Sequence, residues 1–154
     1  MEMYMQLRKR RQRNKAAKIW YGECSLYISQ DDLTSNKVEK IDYENTFSMQ
    51  NPNNVRGDTK SFNNKTMDFL HKLTQKAQVP KGNKIEFYAA GEERIGANNL
   101  YAMVLCTQTF GDCEACLKSA IKELSKCCSG KQGARVYMGT SCNLRYELYP
   151  FLSK

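Results

Sequence analysis

The chain contains no apolar run near the ~20 residues that carry a helix across a bilayer, so no helical membrane span is expected in it. Its opening residues, MEMYMQLRKRRQRNK, also lack the apolar central region of a secretory leader, so the sequence as given shows no route to an oxidising compartment. Histidine occurs once, at His71, beside the apolar face of a candidate helix, where a surface position is expected ahead of a catalytic or ligand role. No nucleophile with a base, carboxylate dyad, phosphate-cradling loop or cofactor fingerprint is found, and no kinase segment either. The chain therefore reads as a non-enzyme without cofactors.

What the chain does have is cysteine and positive charge. Its 154 residues suit one ordinary domain with some excess, and its seven cysteines would assist a hydrophobic core rather than replace one. Seven is odd, so at least one thiol stays free or pairs elsewhere. The net charge of +8 is uneven: Arg8, Lys9, Arg10, Arg11, Arg13 and Lys15 against Glu2 place +5 in residues 1–16, leaving +3 for the rest. RKRRQRNK fits a nuclear-import or RNA-binding patch, but a solvated basic tail is the simpler reading, and no nucleic-acid partner is expected.

Along the chain, AKIWYGECSLYIS (17–29) is rich in β-branched and aromatic residues and reads as one strand carrying Cys24. A short strand is expected at Thr46–Met49, and NPNNVRGD (51–58) is turn chemistry whose Arg-Gly-Asp tripeptide is too short to carry meaning. From Phe62 the period changes, with Thr66, Phe69, Leu70, Leu73 and Ala77 following at helical steps until Pro80. Asn64-Lys65-Thr66 is an N-glycosylation sequon, meaningful only in a secreted chain. KIEFYAA (84–90) and NLYAMVLCTQ (99–108) read as strands, the second apolar enough to sit centrally in a sheet. Asp112 is a candidate N-cap for a second helix whose Cys116, Leu117, Ala120, Ile121, Leu124 and Cys128 form one stripe. ARVYM (134–138) and CNLRYEL (142–148) then form a closing antiparallel pair turned around Gly139. The expected fold class is α+β: an antiparallel sheet of about five strands with two helices on one face, stapled by disulfides.

Three uses of the cysteines compete. Cys113, Cys116, Cys127 or Cys128, and Cys142 could be counted as zinc ligands, but paired zinc ligands usually come from tight turns, whereas these lie along a helix. Cys113-x-x-Cys116 at a helix start could be a redox pair, yet Glu114 and Ala115 add no cation to activate a thiol. A structural framework is the preferred reading, with no metal. As staples, Cys106 at a strand end could reach Cys113 at the helix start, and Cys116 could reach Cys142 on the last strand. Adjacent Cys127 and Cys128 are left unassigned as thiols, together with Cys24.

C106-x6-C113-x2-C116, followed by CCSGKQGARVYMGTSC and NLRYELYPF, resembles the ginkbilobin-like stress-antifungal domain of plant cysteine-rich receptor-like kinases and their secreted relatives. FYAAGEE and NLYAMVLCTQ are similar to the same family, although the first cysteine interval is shorter than its usual one. Receptor ectodomains of that family carry two such domains in tandem. The resemblance thus implies a basic tail outside the family (1–16), a remnant strand and linker from a truncated first copy (17–45), and one domain at 46–152. Cys24 would be the last cysteine of the lost copy, and its signal peptide would have gone with it.

The resemblance implies extracellular binding rather than turnover. Ginkbilobin recognises mannose through an Asn, an Arg and a Glu; Arg135 in Gly-Ala-Arg and Glu147 in Tyr-Glu match two of them, and Asn51 and Asn53 are both candidates for the third. A guanidinium that donates and a carboxylate that accepts suit sugar hydroxyls, but the same two residues could be a plain cross-strand ion pair. Two functions are carried forward. One is a mannose-binding, antifungal-type defence lectin, and the other a protein-interaction ectodomain that meets another receptor-like copy by its sheet or sheet edge.

Overall fold

The computed structural model describes residues 16–20, 25–29, 41, 43–78, 80, 81, 84, 85, 87–107 and 112–152. The chain separates into two compact units, Met1–Val38 and Glu39–Lys154. In the first, strand β1 (Ala16–Trp20) pairs antiparallel with β2 (Ser25–Ser29), Ala16 opposite Ser29 and Trp20 opposite Ser25. The single strand expected over 17–29 is therefore two. Both arms favour extended backbone equally, so propensity alone does not tell one long strand from a folded pair; Gly22 was the available signal for a break. Cys24 and the 1–15 tail lie outside the described residues.

The second unit runs β3 (Thr46–Gln50), α1 (Thr59–Lys76), β4 (Pro80–Lys81), β5 (Lys84–Ile85), β6 (Tyr88–Ile95), β7 (Asn98–Cys106), α2 (Cys113–Cys127), β8 (Gly133–Met138) and β9 (Cys142–Glu147). Among the described strands, short β4 and β5 pair with each other alone, while five strands form an antiparallel sheet in the order β3-β8-β9-β7-β6. Both helices lie on one face, as the α+β reading requires.

Each helix starts where its first turn finds an acceptor. The Asp58 carboxylate accepts from Ser61 N–H at 3.0 Å and that of Asp112 from Ala115 N–H at 3.0 Å, filling donors a helix cannot satisfy itself. Asp58 of the Arg-Gly-Asp tripeptide is thus an N-cap. The α1 stripe Phe62, Thr66, Phe69, Leu70 and Leu73 is buried over β6 and β7, with Phe69 and Leu73 against Gly91 and Phe62 reaching Tyr146, and the α2 stripe Cys116, Leu117, Ala120, Ile121 and Leu124 is buried over the inward row Ala134, Val136, Leu144 and Tyr146 of β8 and β9. Leu70, Leu73, Leu117 and Leu124 are nearly or fully buried, each stabilising by about 1.5–3 kcal/mol relative to exposure. His71 is exposed on the outer side of α1.

Two expectations shift. The strand sought at 84–90 lies at Tyr88–Ile95 and takes in Gly91-Glu92-Glu93-Arg94. At the edge of the described sheet, β6 pairs with a described strand on one side alone and tolerates charge; Lys72 of α1 reaches Glu93 at 3.0 Å. Apolar β7 is interior, but the middle position belongs to β9, so the C-terminal pair is inserted into the sheet rather than closing its edge. The β8–β9 turn passes through Gly139 at φ 52, a left-handed conformation that glycine adopts without a Cβ clash.

The insertion of β9 brings the cysteines together. Cys106 and Cys142 face each other across the β7–β9 ladder, and each is bonded to the first turn of α2: Cys106 to Cys113 and Cys142 to Cys116, with Cα separations of 5.8 and 6.1 Å. The helix start is fixed to two adjacent strand ends. Cys113 and Cys116 bridge outward and not to each other, so they form neither a zinc knuckle nor a C-x-x-C redox pair. Cys127 and Cys128, left as thiols in the sequence reading, are bonded to each other.

Candidate binding site

Alternation along β8 and β9 sends one residue row into the core and the other to the helix-free face. Register pairs Gly133 with Glu147, Arg135 with Arg145 and Tyr137 with Asn143, and these six share that outer face. Arg135 and Glu147, the two residues singled out for sugar recognition, therefore meet diagonally, with Arg135 Nε 4.0 Å from Glu147 Oε1.

A closer partner intervenes. Arg145 Nε donates to Glu147 Oε1 at 3.2 Å, and the two residues are only 7% and 5% exposed. Arg145 Nη2 also donates to the Tyr149 hydroxyl at 2.9 Å, and the guanidinium carbon lies 4.0 Å from the centre of the Phe151 ring. Arg145, Tyr149 and Phe151 escaped the sequence reading. The signal available was the two-residue spacing of Arg145 and Glu147, which puts both on one face of a strand.

The second carboxylate oxygen, Glu147 Oε2, is buried and has no hydrogen-bond donor among the described residues. It occupies the space over Gly133, where an added Cβ would overlap it. On the inward row, burial pushes the Tyr146 hydroxyl above the ordinary phenol range, with the charge of Glu147 adding to the effect. That hydroxyl donates to the Lys131 carbonyl at 2.9 Å.

The asparagine candidates separate. Asn51 N–H donates to the Gly133 carbonyl at 2.8 Å, which extends the β3–β8 ladder and places Asn51 next to the Gly133–Glu147 pair. Its Oδ1 accepts from Asn53 N–H at 2.9 Å. Asn53 itself is exposed beyond the strand, its carbonyl accepting from Gln132 N–H at 3.0 Å. Asn64 is exposed on α1, whereas Thr66 of the same sequon is buried.

The sheet edge is apolar. On β3, which among the described strands pairs with β8 alone, Phe47 is 46% and Met49 51% exposed, and both lie on the helix-free side opposite Tyr137 and Arg135. Such side chains on an edge strand are unusual for a surface that meets only water.

Residues 45–149 match the family model described as salt stress response/antifungal. The chain is 57% identical over 148 residues to "Putative cysteine-rich repeat secretory protein 32" of Arabidopsis thaliana, covering 95% of this chain and 56% of the relative. It is 54% identical over 147 residues to "Putative cysteine-rich repeat secretory protein 33" of the same plant, covering 94% of this chain and 57% of that protein. The chain thus spans about half the length of the curated relatives it matches. Among solved structures, the tandem DUF26 ectodomains of the Arabidopsis thaliana cysteine-rich receptor-like proteins PDLP8 and PDLP5 superpose with TM-scores of 0.55 and 0.53 at 17% and 18% identity. Each match covers 69% of this chain and about half of the ectodomain, and at that identity it shows the fold alone.

Proposed function

The chain belongs to the salt stress response/antifungal family, and from that premise we propose that it is a non-catalytic binding module whose edge strand β3 docks another domain of its own family. Relatives named as secretory proteins and neighbours that are ectodomains give it an extracellular setting, in keeping with three disulfides among the described residues. Among the described residues no helix is long and apolar enough to cross a membrane.

The observation that carries the docking role is the exposure of Phe47 and Met49 on an edge strand. An edge strand with one side that no described strand covers can add a partner strand by backbone hydrogen bonds, and two exposed apolar side chains beside it supply the desolvation that makes such pairing specific. The occupant follows from the relatives: the solved ectodomains carry two such domains in tandem, and this chain spans half of one. Sedimentation velocity of the purified chain tests it. Self-association that grows with concentration and is abolished by Phe47→Ser with Met49→Ser is the expected result; a chain monomeric at every concentration up to its solubility limit rejects it.

A second reading is a mannose-type glycan site formed by Arg135, Glu147 and Asn51. Its support is the meeting of Arg135, whose side chain is 23% exposed, with a carboxylate of which one oxygen has no donor among the described residues. Sugar would have to reach that oxygen past Arg145, which ranks this reading second; an antifungal action would depend on it. Amide shifts at Arg135 and Glu147 during a mannose titration would support it, and none at millimolar sugar would reject it. In a secreted chain the exposed Asn64 would be the glycan acceptor.

A further inference from the structure

Three disulfides are present among the described residues, and one differs in kind. Cys106–Cys113 joins β7 to α2, and Cys116–Cys142 joins α2 to β9. Cys127–Cys128 joins two residues already linked by a peptide bond, at the C-terminal end of α2. A crosslink limits the unfolded chain according to the loop it closes, and this one encloses no chain between its ends. It ties no two elements of the fold to each other. Exposure also differs: Cys106, Cys113, Cys116 and Cys142 are buried, whereas Cys127 is partly open to solvent beside buried Cys128, which is 2% exposed.

We propose that Cys127–Cys128 is a thiol-exchange site that takes a small thiol of the glutathione class as a covalent adduct on Cys127. The attacking thiolate forms a new sulfur–sulfur bond at Cys127 Sγ as the bond to Cys128 breaks. Cys128 departs with the electron pair and takes a proton from water, since a buried thiolate at the negative end of a helix is doubly disfavoured. A second thiolate attacking the added sulfur releases the symmetric disulfide of the small thiol and leaves Cys127 as a thiol. The protein pair is then reduced by two electrons and two small thiols are oxidised. Only a compact nucleophile fits, because Cys128 is covered and Cys127 half-covered.

The segment after the pair carries the event onward. Asn63 Nδ2 donates to Ser129 Oγ at 2.7 Å, Gly130 N–H donates to Asn63 Oδ1 at 3.0 Å, and Gln132 N–H donates to the Asn53 carbonyl at 3.0 Å. Opening the pair removes a constraint at the root of this segment, which touches both α1 and the loop that carries Asn51 and Asn53.

The test is a titration of the native chain with reduced glutathione, quenched in acid and mapped by peptide mass. The expected result is one glutathione on Cys127 at a concentration at least ~tenfold below that needed to open either other bridge. Amide shifts at Ser129, Gly130 and Gln132 should accompany it. Opening of all three bridges together, or an adduct first appearing on Cys106, Cys113, Cys116 or Cys142, overturns the proposal. As a separate check, Cys127→Ser with Cys128→Ser should melt within about 3 °C of the unmodified chain, and a fall beyond about 10 °C would make the pair a structural staple and overturn it as well.

Discussion

Gly133 lies across the β8–β9 ladder from Glu147, and the carboxylate of Glu147 fills the space where a side chain at position 133 would stand. Glycine is required there by its neighbour rather than by its backbone, for no positive φ is found at that position. The missing side chain lets a charged group lie flat on the sheet under the guanidinium of Arg145.

Gly133→Ala should therefore lower stability by about 1–3 kcal/mol, because the carboxylate must leave its place beneath Arg145. Combining it with Glu147→Ala should cost less than the sum of the two single changes. Thermal or urea unfolding of the four-member cycle measures this, and strict additivity would show that the two side chains do not compete for one space.

Arg145→Met should be more damaging than its position near the C-terminus suggests, at about 3 kcal/mol, because it removes the nearer and hydrogen-bonded guanidinium from the buried Glu147 carboxylate and leaves it only Arg135 at 4.0 Å. Adding Glu147→Gln should recover much of that loss by removing a buried charge left with only the more distant Arg135. Urea denaturation of the single and double variants decides the matter.

The two inter-element bridges should rank by the loop each closes. In the chain-entropy model, replacing Cys106 and Cys113 by serine costs about 2.5 kcal/mol and replacing Cys116 and Cys142 about 3.5 kcal/mol. Their sequence separations are 7 and 26. Melting of the two double-serine variants should preserve that order.

Tyr146 sets an alkaline limit. Its hydroxyl stays protonated in the fold well above the ordinary phenol value of 10.0, chiefly through burial and secondly through the charge of Glu147. The unfolded chain therefore releases this proton first, so the contribution is complete below that value and fades as pH rises beyond it. Tyr146→Phe should lose about 1 kcal/mol at neutral pH with the bond to the Lys131 carbonyl, and should flatten the fall in stability above pH 10. Urea unfolding at a series of alkaline pH values shows both effects.

Not every element was equally legible. Both helices could be read because their determinants are local: Asp58 and Asp112 cap them, and their apolar residues recur at helical spacing within one segment. β6 was sought four residues too early because KIEFYAA is the more apolar stretch, while the sheet uses the charged one at its edge. The strand pair β1–β2 was merged into one strand for a related reason, since extended propensity fixes no partner.

The same division runs through the site. Arg135 and Glu147 were found by a family motif, but Arg145, which holds the carboxylate, was not, although β-alternation placed it on the same face. Asn51 could be separated from Asn53 only after β3 had been set beside β8, because a hydrogen bond to the Gly133 carbonyl is a property of register.

By itself the sequence determined what depends on neighbours along the chain: two capped amphipathic helices, a cysteine spacing suited to staples, a family, and an α+β class. Tertiary structure alone decided that β9 lies at the middle of the sheet, that Cys106 and Cys142 stand side by side, and that Arg145 occupies the carboxylate of Glu147. The physical reason is that pairing between distant strands is settled by which register buries the whole inward row at once. No local stretch carries that sum.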